Sequence, residues 1–269
     1  MQQLARRSFF GLVLAVALLA AAAPAQAQLV APNASGVAMG HVHLIVREVA
    51  THRKFWSDLG GTPVKNGTLE MVQFPGVFIL LRQGTPTGGS VGSTVNHIGF
   101  HVKDIKAALA KWRAAGITAE LTQRPDQAWI VSPDDVRVEI LENTALATPM
   151  AFHHIHLQSN VMPEMRAWYV KTFGAEPGKR GAFETAELPG VSVSMMPSDT
   201  AMEKTAGRSV DHIGFEIKGL EAFIKQLEAS GIKMDRPYTT STAAPGTHIA
   251  FFTDPWGTQI ELTENLSPR

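Results

Sequence analysis

The stretch Val95-Asn96-His97-Ile98-Gly99-Phe100 returns 115 residues later as Val210-Asp211-His212-Ile213-Gly214-Phe215. The match continues from Ala114-Ala115-Gly116-Ile117 to Ala229-Ser230-Gly231-Ile232. Upstream, His41-Val42-His43-Leu44 matches His154-Ile155-His156-Leu157, and Phe74-Pro75-Gly76-Val77 matches Leu188-Pro189-Gly190-Val191. A nearly constant offset over this length means two homologous halves. Each half divides again, because a His-bearing, strand-like segment occurs near residues 41, 97, 154 and 212.

After each such segment comes a helical pattern. Asp104 is placed to cap a helix that carries Ile105, Ala108, Leu109 and Trp112 on one face and stops at Gly116. Leu220, Phe223, Ile224 and Leu227 repeat the pattern and stop at Gly231, and Phe55-Trp56 and Trp168-Tyr169 mark two further helices. Short alternating segments follow each helix, such as Val136 to Ile140 and Thr258 to Leu262. The expected unit is strand, helix, then about three strands, four times over. The fold class is α+β: four such units in two tandem domains, 37–145 and 150–266, each an eight-stranded curved sheet with flanking helices.

Side chains alternate across a strand, so residues two apart share a face. His41 and His43 point one way while Val42, Leu44 and Val46 point the other. His97 and Gly99 oppose Ile98 and Phe100, and Glu139 sits between Val138 and Ile140. The second half repeats this with His154 and His156, with His212, and with Glu261 between Ile260 and Leu262. The apolar faces must pack on the helices, which leaves the His and Glu faces to meet on the concave side. Two imidazoles and a carboxylate converging there would form a metal site with open positions. A lone strand His is usually a core or surface residue, but the recurrence of the pattern in both halves favours a metal, because burying that much polarity without one is costly.

These residues carry a family resemblance. A His-bearing strand at His41, an aromatic-x-x-x-Leu-Gly helix end from Phe55 to Gly60 and a closing Asp254-Pro255-Trp256-Gly257-Thr258-Gln259-Ile260-Glu261 resemble the vicinal oxygen chelate superfamily. That superfamily includes glyoxalases, fosfomycin and bleomycin resistance proteins and extradiol dioxygenases. The resemblance covers residues 37 to 265. It implies metal ligands at His41, His97 and Glu139 in the first half and at His154, His212 and Glu261 in the second. The fourth, carboxylate ligand of glyoxalases has no counterpart in Val77 to Leu81 or Val191 to Met195. The resemblance therefore favours an extradiol-type dioxygenase using Fe(II), with Mn, Zn or Ni as alternatives. His156, His248 and Tyr238 are the candidate acid–base residues. A glyoxalase-like lyase or isomerase, and a protein that only sequesters a small ligand, remain the rivals. His52 and His153 are read as structural or exposed. Ser132-Pro133-Asp134-Asp135 departs from the family's Asp-Pro-x-Gly, so if one half has lost activity the resemblance points to the first.

The composition agrees. The chain has 269 residues, 45% of them hydrophobic and 18% charged, with no net charge and no cysteine. Disulfides, thiol chemistry and cysteine metal sites are excluded, and no basic stripe suits nucleic acid. A small-molecule substrate is the expected partner, with homo-oligomerisation left open. Arg6-Arg7 before an apolar run from Phe9 to Ala23, then Ala25-Gln26-Ala27, reads as a secretory signal of residues 1–27, resembling the twin-arginine type. The expected location is the periplasm, with no lasting membrane association once the signal is removed.

Overall fold

A computed structural model describes residues 29–268; the expected signal segment lies outside them. The elements follow the expected order four times. The first unit is β1 (Val37–Val46), α1 (Val49–Leu59), β2 (Thr62–Asn66), β3 (Leu69–Phe74) and β4 (Val77–Gln83). The second is β5 (Val95–Val102), α2 (Ile105–Ala114), β6 (Ala119–Leu121), β7 (Gln127–Val131) and β8 (Arg137–Glu142). The third is β9 (Met150–Ser159), α3 (Met162–Phe173), β10 (Glu176–Arg180), β11 (Phe183–Leu188) and β12 (Val191–Pro197). The fourth is β13 (Val210–Ile217), α4 (Leu220–Ala229), β14 (Arg236–Thr240), β15 (His248–Thr253) and β16 (Gln259–Glu264). No helix among the described residues is long and apolar enough to cross a membrane.

The sixteen strands form two eight-stranded sheets, but not from consecutive units. One sheet runs β14-β15-β16-β13-β1-β4-β3-β2 and joins the first unit to the fourth. The other runs β10-β11-β12-β9-β5-β8-β7-β6 and joins the second to the third. The pairing expected from sequence, first with second and third with fourth, is therefore corrected. The central ladders are antiparallel: β1 on β13 places His43 opposite His212, and β5 on β9 places His97 opposite His156.

The helices keep to their own half. Trp56 of α1 packs against Phe100 of β5, and Trp112 of α2 donates its indole N–H to the Leu59 carbonyl at 3.0 Å. In the other half Phe173 of α3 packs on Phe215, Phe223 and Phe252, and the buried Tyr169 hydroxyl donates to Asp254 Oδ2 at 2.9 Å. Burying each such aromatic contributes about 1.5–3 kcal/mol. The helices of each sequence half thus pack together, within one apolar core that runs through both halves, while each sheet is shared between halves.

The closing loops fasten these cores. Asp254 Oδ1 accepts from the backbone N–H groups of Trp256 and Thr258, which fixes the Asp-Pro-x-Gly turn. In the first half Asp134, at φ 60°, binds His52 Nε2 at 3.0 Å and accepts from Arg47. His52 is fully buried. The departure at Ser132 to Asp135 therefore keeps a carboxylate that ties the turn to the helix of the sibling unit. Asp104 Oδ1 caps α2 by accepting from Ala107 N at 2.9 Å.

Candidate metal centres

Register brings the polar faces together. In the first sheet His41 lies opposite Gly214, and Gly214 pairs with Glu261. The glycine is required: a Cβ there would stand 1.9 Å from the His41 ring. Gly99 does the same beneath His154, again at 1.9 Å. The His-Ile-Gly-Phe repeat is thus a ligand strand with a hole cut for the neighbouring imidazole.

Two four-residue clusters result, each with ligand atoms within 4.8 Å of one another: His41, His43, His212 and Glu261; and His97, Glu139, His154 and His156. The expected trios are exchanged. His41 joins His212 and Glu261, while His154 joins His97 and Glu139. The physical reason is the ladder: β1 hydrogen-bonds β13 and β9 hydrogen-bonds β5, so each cluster takes one strand from each half.

In the first cluster a single carboxylate oxygen, Glu261 Oε2, lies 2.9 Å from both His41 Nε2 and His212 Nε2. His212 Nδ1 lies 2.6 Å from Asp211 Oδ1. That contact needs a proton on Nδ1, so a neutral His212 presents a lone pair at Nε2 to a carboxylate. Only a proton or a cation between them relieves this. Burial opposes the charge, yet hydrogen bonds to Asp211 and Glu261 raise His212 to about 9. Burial lowers His41, against the hydrogen bond to Glu261. Burial also opposes ionisation of Glu261, but the two imidazoles hold its carboxyl well below the usual range. His43 is buried with neither ring nitrogen partnered, and desolvation together with the His212 charge keeps it neutral. The donor set, the converging lone pairs and the orphaned imidazole fit a divalent cation.

A cavity of about 650 Å³ opens onto this cluster. Its polar wall includes Glu70, Arg82, Arg236 and Gln259; its apolar wall includes Leu80, Ile249 and Phe251.

The second cluster is equally buried. His154 Nε2 lies 2.8 Å and His97 Nε2 3.4 Å from Glu139 Oε2, while Gln127 donates to the other Glu139 oxygen. His97 Nδ1 lies 2.8 Å from Asn96 Oδ1. Arg180 lies over the cluster, Nη2 2.8 Å from His156 Nε2 and 3.1 Å from Ser194 Oγ, Nη1 3.3 Å from His153 Nδ1. His156, a candidate acid–base residue, is thus a cluster member held by a guanidinium. His153, expected to be structural or exposed, is half-buried and stacks on His101 with centroids 3.7 Å apart.

His248 and Tyr238 do not join either cluster. They stack on each other, centroids 5.0 Å apart, with His248 near Thr240 Oγ1 at 3.4 Å. Ile249 and Phe251 face the cavity, and Phe251 pairs with Glu261, so alternation turns His248 to the opposite face. His43 stands in the place that sequence reasoning assigned to His248. The signal for it was present: it is spaced from His41 as His156 is from His154.

Residues 151–262 match the sequence profile of the Glyoxalase/Bleomycin resistance protein/Dioxygenase superfamily. Residues 151–262 therefore carry a domain of that superfamily. Glyoxalase I from Zea mays superposes with a TM-score of 0.68 at 14% identity, over 85% of this chain and 92% of the maize chain. A candidate dioxygenase from Bacillus subtilis superposes with a TM-score of 0.67 at 15% identity, over 86% of each chain. At such identities the likeness shows that the fold of these proteins is shared across most of the chain. No curated protein sequence matches it.

Proposed function

We propose that the protein is a metal-dependent enzyme acting on a small oxygenated organic molecule at the His41, His212 and Glu261 centre, most specifically an extradiol-type dioxygenase. The observation that carries this reading is a three-donor convergence facing an open cavity, with an unpartnered neutral imidazole, His43, beside it. His41, His212 and Glu261 would hold a divalent ion, Fe(II) by preference, which would supply Lewis-acid and redox chemistry toward a substrate with two vicinal oxygens. Two imidazoles and one carboxylate leave the centre a positive charge that a catecholate would neutralise.

The chain's own residues divide the remaining tasks. His43 accepts the proton of a substrate hydroxyl, because it lines the cavity beside the donor trio with both ring nitrogens unpartnered. Asp211 holds His212 in one orientation. Phe251, Ile249 and Leu80 offer an apolar wall for a ring, and Arg236 and Arg82 at the rim favour an anionic substituent.

The test is oxygen uptake after anaerobic Fe(II) loading, with a panel of catechols. Uptake lost in His43→Gln supports the reading. No uptake, with isomerase or lyase activity under Ni or Zn, moves the assignment to a glyoxalase-like enzyme. That second reading is favoured by one observation: His43 lies close enough to serve as a fourth ligand. Tight binding of a small molecule without turnover under any metal would indicate sequestration.

Export belongs to the same proposal. Removal of residues 1–27 would leave a mature N-terminus near Gln28 in the periplasm. The intact mass of the protein from its native host decides this, since retention of Met1 would contradict cleavage.

A further inference from the structure

The two clusters are related by the internal repeat, so their differences can be read position by position. Val95 to Val102 corresponds to Val210 to Ile217, which sets Asn96 against Asp211. The hairpins β2-β3 and β10-β11 share one register, with Asn66 opposite Leu69 and Arg180 opposite Phe183, which sets Arg180 against Asn66. The strands β8 and β16 set Arg137 against Gln259 just before the ligand carboxylates Glu139 and Glu261.

Every one of these exchanges moves charge in one direction. Around His41 and His212 stand two buried carboxylates, Glu261 and Asp211. Arg82 reaches Asp211 only at 3.8 Å, and its side chain is 54% exposed, so water screens it. Around His97 and His154 the second carboxylate is replaced by the amide of Asn96. A half-buried guanidinium, Arg180, is hydrogen-bonded into the cluster and lies within electrostatic reach of Glu139. Arg137 is stacked at 3.8 Å over Trp129, whose ring meets the edge of His97, a closer approach than that of Arg236 over Phe251 at 5.9 Å beside His212.

Nε2 of His97 and of His154 is buried and unpartnered beside Glu139, so the trio keeps the ligand geometry and the difference lies at the fourth position. There His43 has both ring nitrogens free, whereas Nε2 of its counterpart His156 is occupied by Arg180. Asn66, in the position of Arg180, instead spends its amide on Thr247 Oγ1 and the carbonyls of Leu266 and Ser267, away from the imidazoles.

We propose that the two clusters are sorted by charge: the His41, His212 and Glu261 centre takes a divalent cation, and the His97, Glu139 and His154 cluster is a metal-free copy in which Arg180 supplies the positive charge. A divalent ion entering the second cluster would meet one carboxylate already offset by a guanidinium, and a His oriented by a neutral amide. Arg180 and Asn96 are then the residues that set the stoichiometry at one metal per chain. This rests on the metal reading of the first cluster.

The experiment is equilibrium dialysis of the full chain against Co(II), with bound metal quantified and the cobalt visible bands recorded. Wild type should bind one equivalent tightly. His212→Ala should abolish it, and His154→Ala should leave both stoichiometry and spectrum unchanged. The double exchange Asn96→Asp with Arg180→Asn, which copies the residues of the first cluster, should bring in a second equivalent, tighter by about 10- to 100-fold than any second binding in wild type. Adding His154→Ala to that background should remove it. Two equal equivalents in wild type, or loss of an equivalent in His154→Ala, would overturn the sorting while leaving the proposed enzyme standing. A folded double variant, checked by circular dichroism, that still binds one equivalent would also overturn it. No tight cobalt in wild type at all would instead overturn the proposed metal enzyme.

Discussion

His41 and Glu261 stand 220 residues apart in the chain, yet Nε2 of one lies 2.9 Å from Oε2 of the other. The contact joins the first strand to the last, so the candidate centre exists only when the two halves are interleaved. Replacing His41 should therefore cost as much metal as replacing His212, although they lie in different halves. In His41→Ala the bound metal of the purified chain should fall by about one equivalent. Undiminished metal in His41→Ala would show that the ligand trio does not cross the halves.

His43 and His248 separate the proton-transfer role from the sequence expectation. His43→Gln should keep metal and slow turnover by about 10²- to 10⁴-fold, the usual contribution of a positioned acid–base group. His248→Ala and Tyr238→Phe should leave turnover close to wild type, because those rings stack on the far face of their strands. Steady-state kinetics with metal content measured on the same samples checks all three. A metal-depleted His43→Gln would make His43 a ligand.

Much of this was legible in the sequence. The repeat offset predicted four like units, and alternation predicted which face of each strand carries His or Glu. Alternation does not say which strand lies next door. The choice between β1 beside β5 and β1 beside β13 rests on long-range ladders that leave no local mark, so the trios were grouped by half and came out exchanged. His248 shows a different failure. Its neighbours Ile249 and Phe251 were the cavity-facing pair, and period-two reasoning applied to that strand would have turned His248 away.

The cores predict their own sensitivities. Phe173 is fully buried among Phe215, Phe223 and Phe252. Phe173→Ala should destabilise by about 3–5 kcal/mol, as for large cavities in packed cores. Tyr169→Phe should cost about 1–3 kcal/mol by removing the hydroxyl that a buried Asp254 accepts from. Denaturant unfolding monitors both, and a change below about 0.5 kcal/mol for Phe173→Ala would contradict the packing described.

Acid stability follows from His52 and Asp134. Burial lowers His52 below 6.5 even against its hydrogen bond to Asp134. The unfolded chain then binds more protons below pH 6.5, so this stability is present above that value and lost as pH falls through it. Burial opposes ionisation of Asp134, but the Arg47 backbone and His52 hold its carboxyl below 3.8, which adds stability above pH 3.8 that is lost on further acidification. Both act in the same direction. The melting-temperature advantage of wild type over His52→Asn should shrink steadily from pH 7 to pH 4. An advantage that grew on acidification would contradict a neutral buried His52.

The most direct measurement is anomalous diffraction from a crystal loaded with a divalent transition metal. The account predicts one strong peak per chain, within bonding distance of His41 Nε2, His212 Nε2 and Glu261 Oε2. A peak at His97, Glu139 and His154 with none at the first cluster, or no ordered metal at either, would contradict it.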